Sequence, residues 1–270
     1  MVYFIPTPIG NLDDISQRGL KLLCKCHTLF CEDTRVTKKL LSLLSEKHNL
    51  TFDIKNFIAL HSHNEKYILD NIDISVFDET VAYLSDAGMP CVSDPGALLV
   101  KCCFDNDIVY DVLPGANALL TAYAMSGFNK KEFTFYGFLS HKPINRKAPL
   151  NDILNNQFLT ILYESPHRIL QLIQEINSID KNRELFIVKE LTKMYQTSYK
   201  GKCKDILNNF KNIDKRGEWV VIIDAKESLN KGTNISIEDI NNLKLPPKQK
   251  AKLLAKMTGE NIKDIYNTLI

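Results

Sequence analysis

The run Val81-Ala82-Tyr83-Leu84-Ser85-Asp86-Ala87-Gly88-Met89-Pro90-Cys91-Val92-Ser93-Asp94-Pro95-Gly96 constrains the fold of this chain more than any other stretch. It opens apolar and β-prone, over the length of a buried strand. A turn rich in Gly, Pro, Asp and Ser follows, and Ala97-Leu98-Leu99-Val100 then begins a helical pattern. Buried strand, shaped loop and helix in immediate succession are the unit of an open α/β sheet. Such sheets bind ligands where strand C-termini meet helix N-termini. Glycine lets backbone approach a ligand closely, and proline fixes the loop's shape. Ordering such a loop costs conformational entropy, so it is expected to do more than connect.

The same alternation runs through the first half. Strands are expected at Val2–Ile5, Thr28–Cys31, Phe57–Leu60, Val81–Leu84 and Val109–Leu113, with helices near Ile15–Leu23, Val36–Leu44, Glu65–Asn71 and Ala97–Phe104. This βαβ order predicts a mostly parallel sheet covered on both faces. A hinge is expected around Met125–Lys131. A second set of strands follows at Phe133–Gly137, Thr160–Tyr163, Glu184–Val188 and Glu218–Ile223, with Tyr195–Lys200 as a further one. These strands lie closer together, which suggests a mixed sheet. At 270 residues the chain has room for two α/β domains, placed at 1–115 and 116–226, and a helical tail at 236–270.

In the tail, Pro246-Pro247 suits the first turn of a helix. Leu253, Leu254 and Met257 are expected to form one apolar stripe among lysines, and Gly259 separates a second helix at Ile262–Leu269. Two readings stay open: a docked helical appendage, or a basic helix pair that touches nucleic acid.

Thirty-four basic against 32 acidic residues, net charge +2, neither demand nor exclude nucleic acid, so any basic surface must be local. The seven cysteines are odd in number and no signal-peptide pattern precedes the first strand, so reduced thiols in a cytosolic protein are expected. The spacings Cys24/Cys26 and Cys102/Cys103 do not suit zinc. No stretch approaches the ~20 apolar residues of a membrane span.

Four loops fall at expected strand ends. Ile5-Pro6-Thr7-Pro8-Ile9-Gly10-Asn11-Leu12 is Pro-rich with one Gly, and neither Gly-x-Gly-x-x-Gly nor a Gly-Lys-Ser/Thr phosphate loop occurs. Asp86–Gly96 is the second. Leu113-Pro114-Gly115-Ala116-Asn117 precedes a helix whose free N–H groups suit an anion, or is simply a tight turn. In Leu162-Tyr163-Glu164-Ser165-Pro166-His167-Arg168 a cap explains Ser165 and Pro166, but not the clustering of Glu164, His167 and Arg168. Asp33 or Thr34 in Cys31-Glu32-Asp33-Thr34-Arg35 either caps the helix bearing Lys38 and Lys39 or contacts substrate. His61 and His63 have no third ligand placed by spacing, so no metal is expected there; polar contacts or a cap at Ser62 or Asn64 fit better. His141–Lys147 is a basic loop, either an RNA clamp or a solvated segment.

Taken in order, several motifs carry a resemblance. They are Thr7-Pro8-Ile9-Gly10-Asn11-Leu12, Glu32-Asp33-Thr34-Arg35, His63-Asn64-Glu65, Ser85-Asp86-Ala87-Gly88 with Ser93-Asp94-Pro95-Gly96, Pro114-Gly115, Tyr163–Arg168, Lys189–Lys193 and Gly217-Glu218-Trp219. Over roughly residues 2–225 the chain resembles the bacterial 16S ribosomal RNA 2′-O-ribose cytidine methyltransferases of the tetrapyrrole (corrin/porphyrin) methylase superfamily. The resemblance implies an α/β protein with two α/β domains, S-adenosylmethionine in the cleft between them, a homodimer, and the small ribosomal subunit as partner. It implies cofactor contacts from Pro8, Asp86, Ala87, Gly88, Pro90, Ser93, Asp94, Gly96, Pro114, Gly115, Ala116 and Tyr163. Ala116-Asn117 stand where Pro-Ser is frequent in the family, which removes a hydroxyl.

Methyl transfer to a ribose hydroxyl needs alignment first and a base second. Candidate catalytic groups are Glu32, Asp33, Arg35, Glu65, Glu164 and His167, and the residues do not single out the base. Lys38, Lys39, Lys142, Arg146, Arg168 and Lys193 are candidates to hold RNA, with Lys189 beside them. Methylation of a small tetrapyrrole-like molecule, or a non-catalytic binding protein on the same fold, are the alternatives.

Overall fold

The structure, a computed structural model, describes residues 1–210, 213–226 and 236–269. The chain divides into two compact units, Met1–Lys226 and Glu227–Ile270.

In the first unit, β1 (Val2–Phe4), β2 (Thr28–Cys31), β3 (Asn56–Ala59), β4 (Val81–Leu84) and β5 (Tyr110–Val112) form a sheet in the order β3-β2-β4-β1-β5. Every pairing in it is parallel, as the βαβ order predicts. The alternation of side chains along a strand explains its two cores. Ala82 and Leu84 of β4 pack with Leu20 and Leu23 of α1 (Gln17–Leu23) and Leu41 and Leu44 of α2 (Thr34–His48). Val81 and Tyr83 face the other way, toward α3 (Glu65–Asn71) and Leu99 and Cys103 of α4 (Ala97–Asp105). Helix α1 begins two residues later than Ile15. Leu12–Asp14 form a separate 3-10 turn, Ile15 is extended, and Ser16 caps the helix by accepting the Gly19 N–H at 2.9 Å.

The second sheet is mixed, as expected, with the order β6-β7-β10-β8-β9. Its strands are β6 (Phe133–Phe138), β7 (Leu159–Glu164), β8 (Glu184–Lys189), β9 (Thr197–Lys202) and β10 (Trp219–Ile223). Only β6–β7 is parallel. β9 starts two residues beyond Tyr195, because turns closed by Lys193 N–H on Glu190 and Gln196 N–H on Lys193 occupy the chain before it. One face packs on α6 (Lys147–Asn155), α7 (Ile169–Ile179) and α8 (Cys203–Phe210), the other on α5 (Ala118–Ser126). Because α5 packs on β7 and β10, the passage between sheets lies before it, at Pro114–Asn117. The Met125–Lys131 stretch expected as a hinge instead joins α5 to β6 of the same sheet.

The second unit holds α9 (Ile237–Asn242), α10 (Pro247–Thr258) and α11 (Ile262–Thr268) around buried Ile240, Ala251, Leu254 and Ile265. The expected stripe is corrected. Leu254 is buried, but Leu253 and Met257 are 39% and 46% exposed, because helical spacing puts Ala251, Leu254 and Ala255 on the inner face. Ile270, the last residue of the expected tail, lies outside the described residues. Among the described residues no helix is long and apolar enough to cross a membrane. All seven cysteines are free thiols, and burial pushes Cys26, Cys91 and Cys103 up to about 11.

Candidate functional site

The loops after β1 and β4 are tied to each other. Thr7 and Gly88 exchange backbone hydrogen bonds, both at 3.0 Å. The Thr7 hydroxyl donates to the Ser85 carbonyl, and the Ser85 hydroxyl donates to that of Gly88, both at 3.2 Å. The ends of β2 and β4 are tied similarly: Asp33 N–H donates to Asp86 Oδ1 at 3.1 Å, and Asp86 N–H lies 3.5 Å from Glu32 Oε2. Neighbouring parallel strands thus hand their first loop residues to one site.

Glu65 anchors the far end of the long loop. Its Oε1 accepts the N–H groups of Gly96, Leu98 and Leu99 at 3.0, 3.1 and 3.2 Å. It does for α4 what a cap side chain would do, and Gly96 has none to offer. Gly96 itself sits at φ +117°, where other residues are strained. Gly115 is held for a different reason: a Cβ there would come within 2.6 Å of Pro6.

These loops and the ends of β6, β7 and β10 enclose a cavity of about 420 Å³, within the range of small-molecule sites. Glu32, Asp86 and Asp94 form an acidic side, and Ile9, Met89, Val92, Phe138 and Tyr163 an apolar one. Burial raises all three carboxyls, and neighbouring carboxylates add to it: Asp86 on Glu32, Asp33 on Asp86, and Glu32 and Asp86 on Asp94. Asp94 is pushed up to about 6, first by burial and then by Glu32, against a hydrogen bond from Ser85. Tyr163 is pushed up to about 12 by burial, and its ring meets Phe135 and Phe138 edge-on. A cavity with crowded carboxyls and an aromatic flank favours a ligand that carries positive charge beside a flat ring.

The family model for Tetrapyrrole (Corrin/Porphyrin) Methylases matches residues 1–207. The chain belongs to the tetrapyrrole methylase family. Proteins named Ribosomal RNA small subunit methyltransferase I are similar to it. That of Campylobacter fetus subsp. fetus is 50% identical across the whole of both chains. That of Helicobacter pylori strain J99 is 42% identical over 98% of this chain and 96% of its own. That of Thermotoga maritima is 37% identical over 83% of this chain and 97% of its own. The solved structure of a cobalamin biosynthetic enzyme, cobalt precorrin-4 methyltransferase, shares the fold at a TM-score of 0.57 and 15% identity, over 83% of this chain and 94% of that one.

Within this methylase fold the sequence-selected residues separate into groups. Glu32, Asp86, Ala87, Gly88, Ser93, Asp94, Tyr163 and Glu164 line the cavity. Pro8, Pro90, Gly96, Pro114, Gly115 and Ala116 belong to the same loops without lining it. Asp33 caps α2, and its carboxylate grips Arg35 at 2.7 Å on the surface, which holds Asp33 down to about 2. His167 is exposed and away from the lining. Lys38, Lys39 and Lys142 are exposed, with the Lys38 ammonium 4.8 Å over the Phe57 ring.

One expectation is corrected. Arg146 is not part of an exposed clamp: it is 2% exposed, with Nη2 on Glu164 at 2.9 Å and Nε on Glu175 at 2.6 Å. Arg168 and Lys193 are committed to carboxylates. Arg168 pairs with Glu164 at 3.0 Å, and Lys193 bridges Glu190 and Glu218 at 2.9 Å each. Glu65 is buried, and its Oε1 caps α4 and anchors the end of the loop. Conversely, Met89, Val92, Asn117, Phe138, Glu218 and Trp219 line the cavity without having been singled out as site residues. Met89 and Val92 lie inside the selected loop, and Gly217-Glu218-Trp219 is one of the resemblance motifs, so both were findable.

Proposed function

We propose that this methylase transfers a methyl group from S-adenosylmethionine to the 2′-oxygen of a cytidine ribose in 16S ribosomal RNA, on the small ribosomal subunit. The observation that carries the cofactor assignment is the acidic, aromatic-flanked cavity built from the β1, β4 and β7 loops. The full-length likeness to proteins named for ribosomal RNA methylation supports the substrate. When bound, S-adenosylmethionine supplies a methyl carbon on a cationic sulfonium with a good leaving group. Asp86 and Asp94 would stabilise that cation, and the Asp86–Asp94 loop and Tyr163 would orient it for in-line attack. Glu32 is our choice of general base. Lys38, Lys39 and Lys142 would meet RNA phosphates. A domain boundary at 115/116, a homodimer and a cytoplasmic location belong to the same reading.

The test is incubation with methyl-labelled S-adenosylmethionine and small subunits from a strain lacking the modification. Label is expected on the 2′-oxygen of one cytidine of the decoding centre. Cofactor binding without RNA label would move the assignment to a small-molecule methylase.

The acidic side gives a pH prediction. Asp94 ionises near 6 in the folded protein, against 3.8 for a free side chain. A cationic ligand needs the ionised form, so affinity for S-adenosylmethionine is expected to fall as pH drops through about 6, approaching tenfold per pH unit below it. The free protein shows the opposite linkage. A raised carboxyl stabilises the fold at low pH, and that contribution is lost as pH rises through the folded value. Asp94→Asn is expected to flatten the affinity profile by calorimetry between pH 5 and 8; an unchanged profile would remove Asp94 from cation binding.

A further inference from the structure

The C-terminal unit is not absorbed by the methyl-transfer chemistry. It lies beyond residue 207, where the family match ends, and a Thermotoga maritima relative matched over 97% of its own length corresponds to only 83% of this chain. Helix α10 carries Lys248, Lys250, Lys252 and Lys256 and no acidic residue. Lys248, Lys252 and Lys256 follow each other at four-residue spacing, so they stand in a row about 6 Å apart along one flank of the helix. All three are exposed, while Ala251 and Leu254 on the inner face are buried. Lys250 is different: its ammonium donates to the Asn241 carbonyl at 2.6 Å and fastens α10 to α9.

The row continues onto the next helix. Lys248 shares a shallow depression with Lys263 of α11, and Lys252 and Lys256 line a neighbouring one with Leu253, Ile262 and Glu260. Among the described residues, none of these four lysines is in a salt bridge. A fold that spends lysines on solubility alone intersperses both signs along a helix face. Here one flank carries a single sign, beside exposed apolar carbon of Leu253 and Ile262 at 39% and 47%. Regular cationic spacing with an apolar margin matches a phosphodiester backbone, whose phosphates pair with ammonium groups and whose sugars and bases offer apolar faces.

We infer that Lys248, Lys252, Lys256 and Lys263 form an RNA-backbone docking surface that raises affinity for the RNA substrate without entering the chemistry. The inference rests on the reading of RNA as substrate. Because lysines contact phosphate as point charges, the surface is insensitive to sequence and its contribution depends on salt.

The test uses the full-length chain with Lys248, Lys252 and Lys256 all changed to Gln, and a companion with all three changed to Arg. Binding to naked 16S rRNA transcript is measured by filter retention across a salt series, and kcat and KM on unmethylated small subunits. In the Gln variant, affinity for naked RNA is expected to fall tenfold or more at low salt. The slope of log affinity against log salt should shrink by about 2–3, at 0.7–0.9 per phosphate contact. KM should rise while kcat stays level, and the Arg variant should match the parent. Unchanged naked-RNA binding in the Gln variant would overturn the inference. So would an increase of KM on subunits alone, which would assign the row to a ribosomal protein. If the parent labels no RNA, the functional reading fails instead, and the naked-RNA comparison still decides the docking surface.

Discussion

Glu32→Gln is expected to lower kcat by about 10²–10⁴ with little change in KM for either substrate, the range for loss of a general base. Elimination leads there. Asp33 is held down to about 2 by Arg35 and is too weak a base for a ribose hydroxyl. Glu65 spends Oε1 on three backbone N–H groups and does not line the cavity. Both oxygens of Glu164 are taken by arginines. Glu32 lines the cavity, touches only the Asp86 N–H at the long distance of 3.5 Å, and is raised by burial and by Asp86. A carboxylate with a raised pKa is the stronger base, so kcat in the parent should climb with pH through that raised value and then level off. Glutamine keeps an oxygen for the Asp86 N–H, so the loop should hold. Quench-flow measurement at saturating substrates checks the step, and near-parental turnover in Glu32→Gln would remove the role.

Glu164→Ala is expected to cost about 3–5 kcal/mol of folding stability, the penalty for stripping a buried ion pair of one partner. The Glu164 side chain is fully buried and Arg146 is 2% exposed, so the guanidinium loses one of its two carboxylates where water cannot replace it and keeps only Glu175, on Nε. Arg146 Nη1 already has no partner among the described residues, so without Glu164 both terminal nitrogens of the guanidinium are unpaired. Arg146→Met should cost much less, because Glu164 keeps Arg168 and the Ser165 N–H at 2.8 Å. The double variant Arg146→Met/Glu164→Leu should recover most of the loss, since apolar replacement of a buried pair is often neutral. Urea denaturation of the four proteins closes the cycle. Equal costs for the two single variants would mean that the pair is not the unit of stability. The loss should also reach the cavity, because the Glu164 oxygens fix the turn into Ser165 and Pro166 on its wall.

The loops that build the site were legible because their conformations need particular residues. Gly96 at φ +117° and the close approach of Gly115 to Pro6 leave Gly/Pro signatures in the chain. Parallel strands buried on both faces read as continuous apolar runs, which is why Val81–Leu84 stood out. What failed was the fate of charge. Arg146 sits among His141, Lys142 and Lys147, and locally such a stretch reads as solvated. Its burial is decided by Glu164 and Glu175, 18 and 29 residues away. The capping role of Glu65 was illegible for the same reason, since the donors it satisfies lie more than thirty residues later. The apolar wall was missed because Phe138 at the end of β6 looks like any strand residue until the sheets meet around the cavity.

The position of β1 in its sheet governs how the chain must assemble as it is made. Val2 pairs with Val81 on one side and Tyr110 on the other, so β1 is flanked by the two strands of its sheet that are made last. At the usual ~5–20 residues per second, roughly 5–20 s pass between the emergence of β1 and of its second neighbour. Val2 and Phe4, both fully buried in the finished protein, have no strand partner until β4 emerges and only one until β5 does. The β8–β9 hairpin, whose partners are near in sequence, has no such wait. Non-local pairing of this kind slows folding and exposes nascent chains to association. The N-terminal half is therefore the part whose yield should depend most on chaperones that hold the emerging chain, and the part where slowing translation before residue 81 would do most harm.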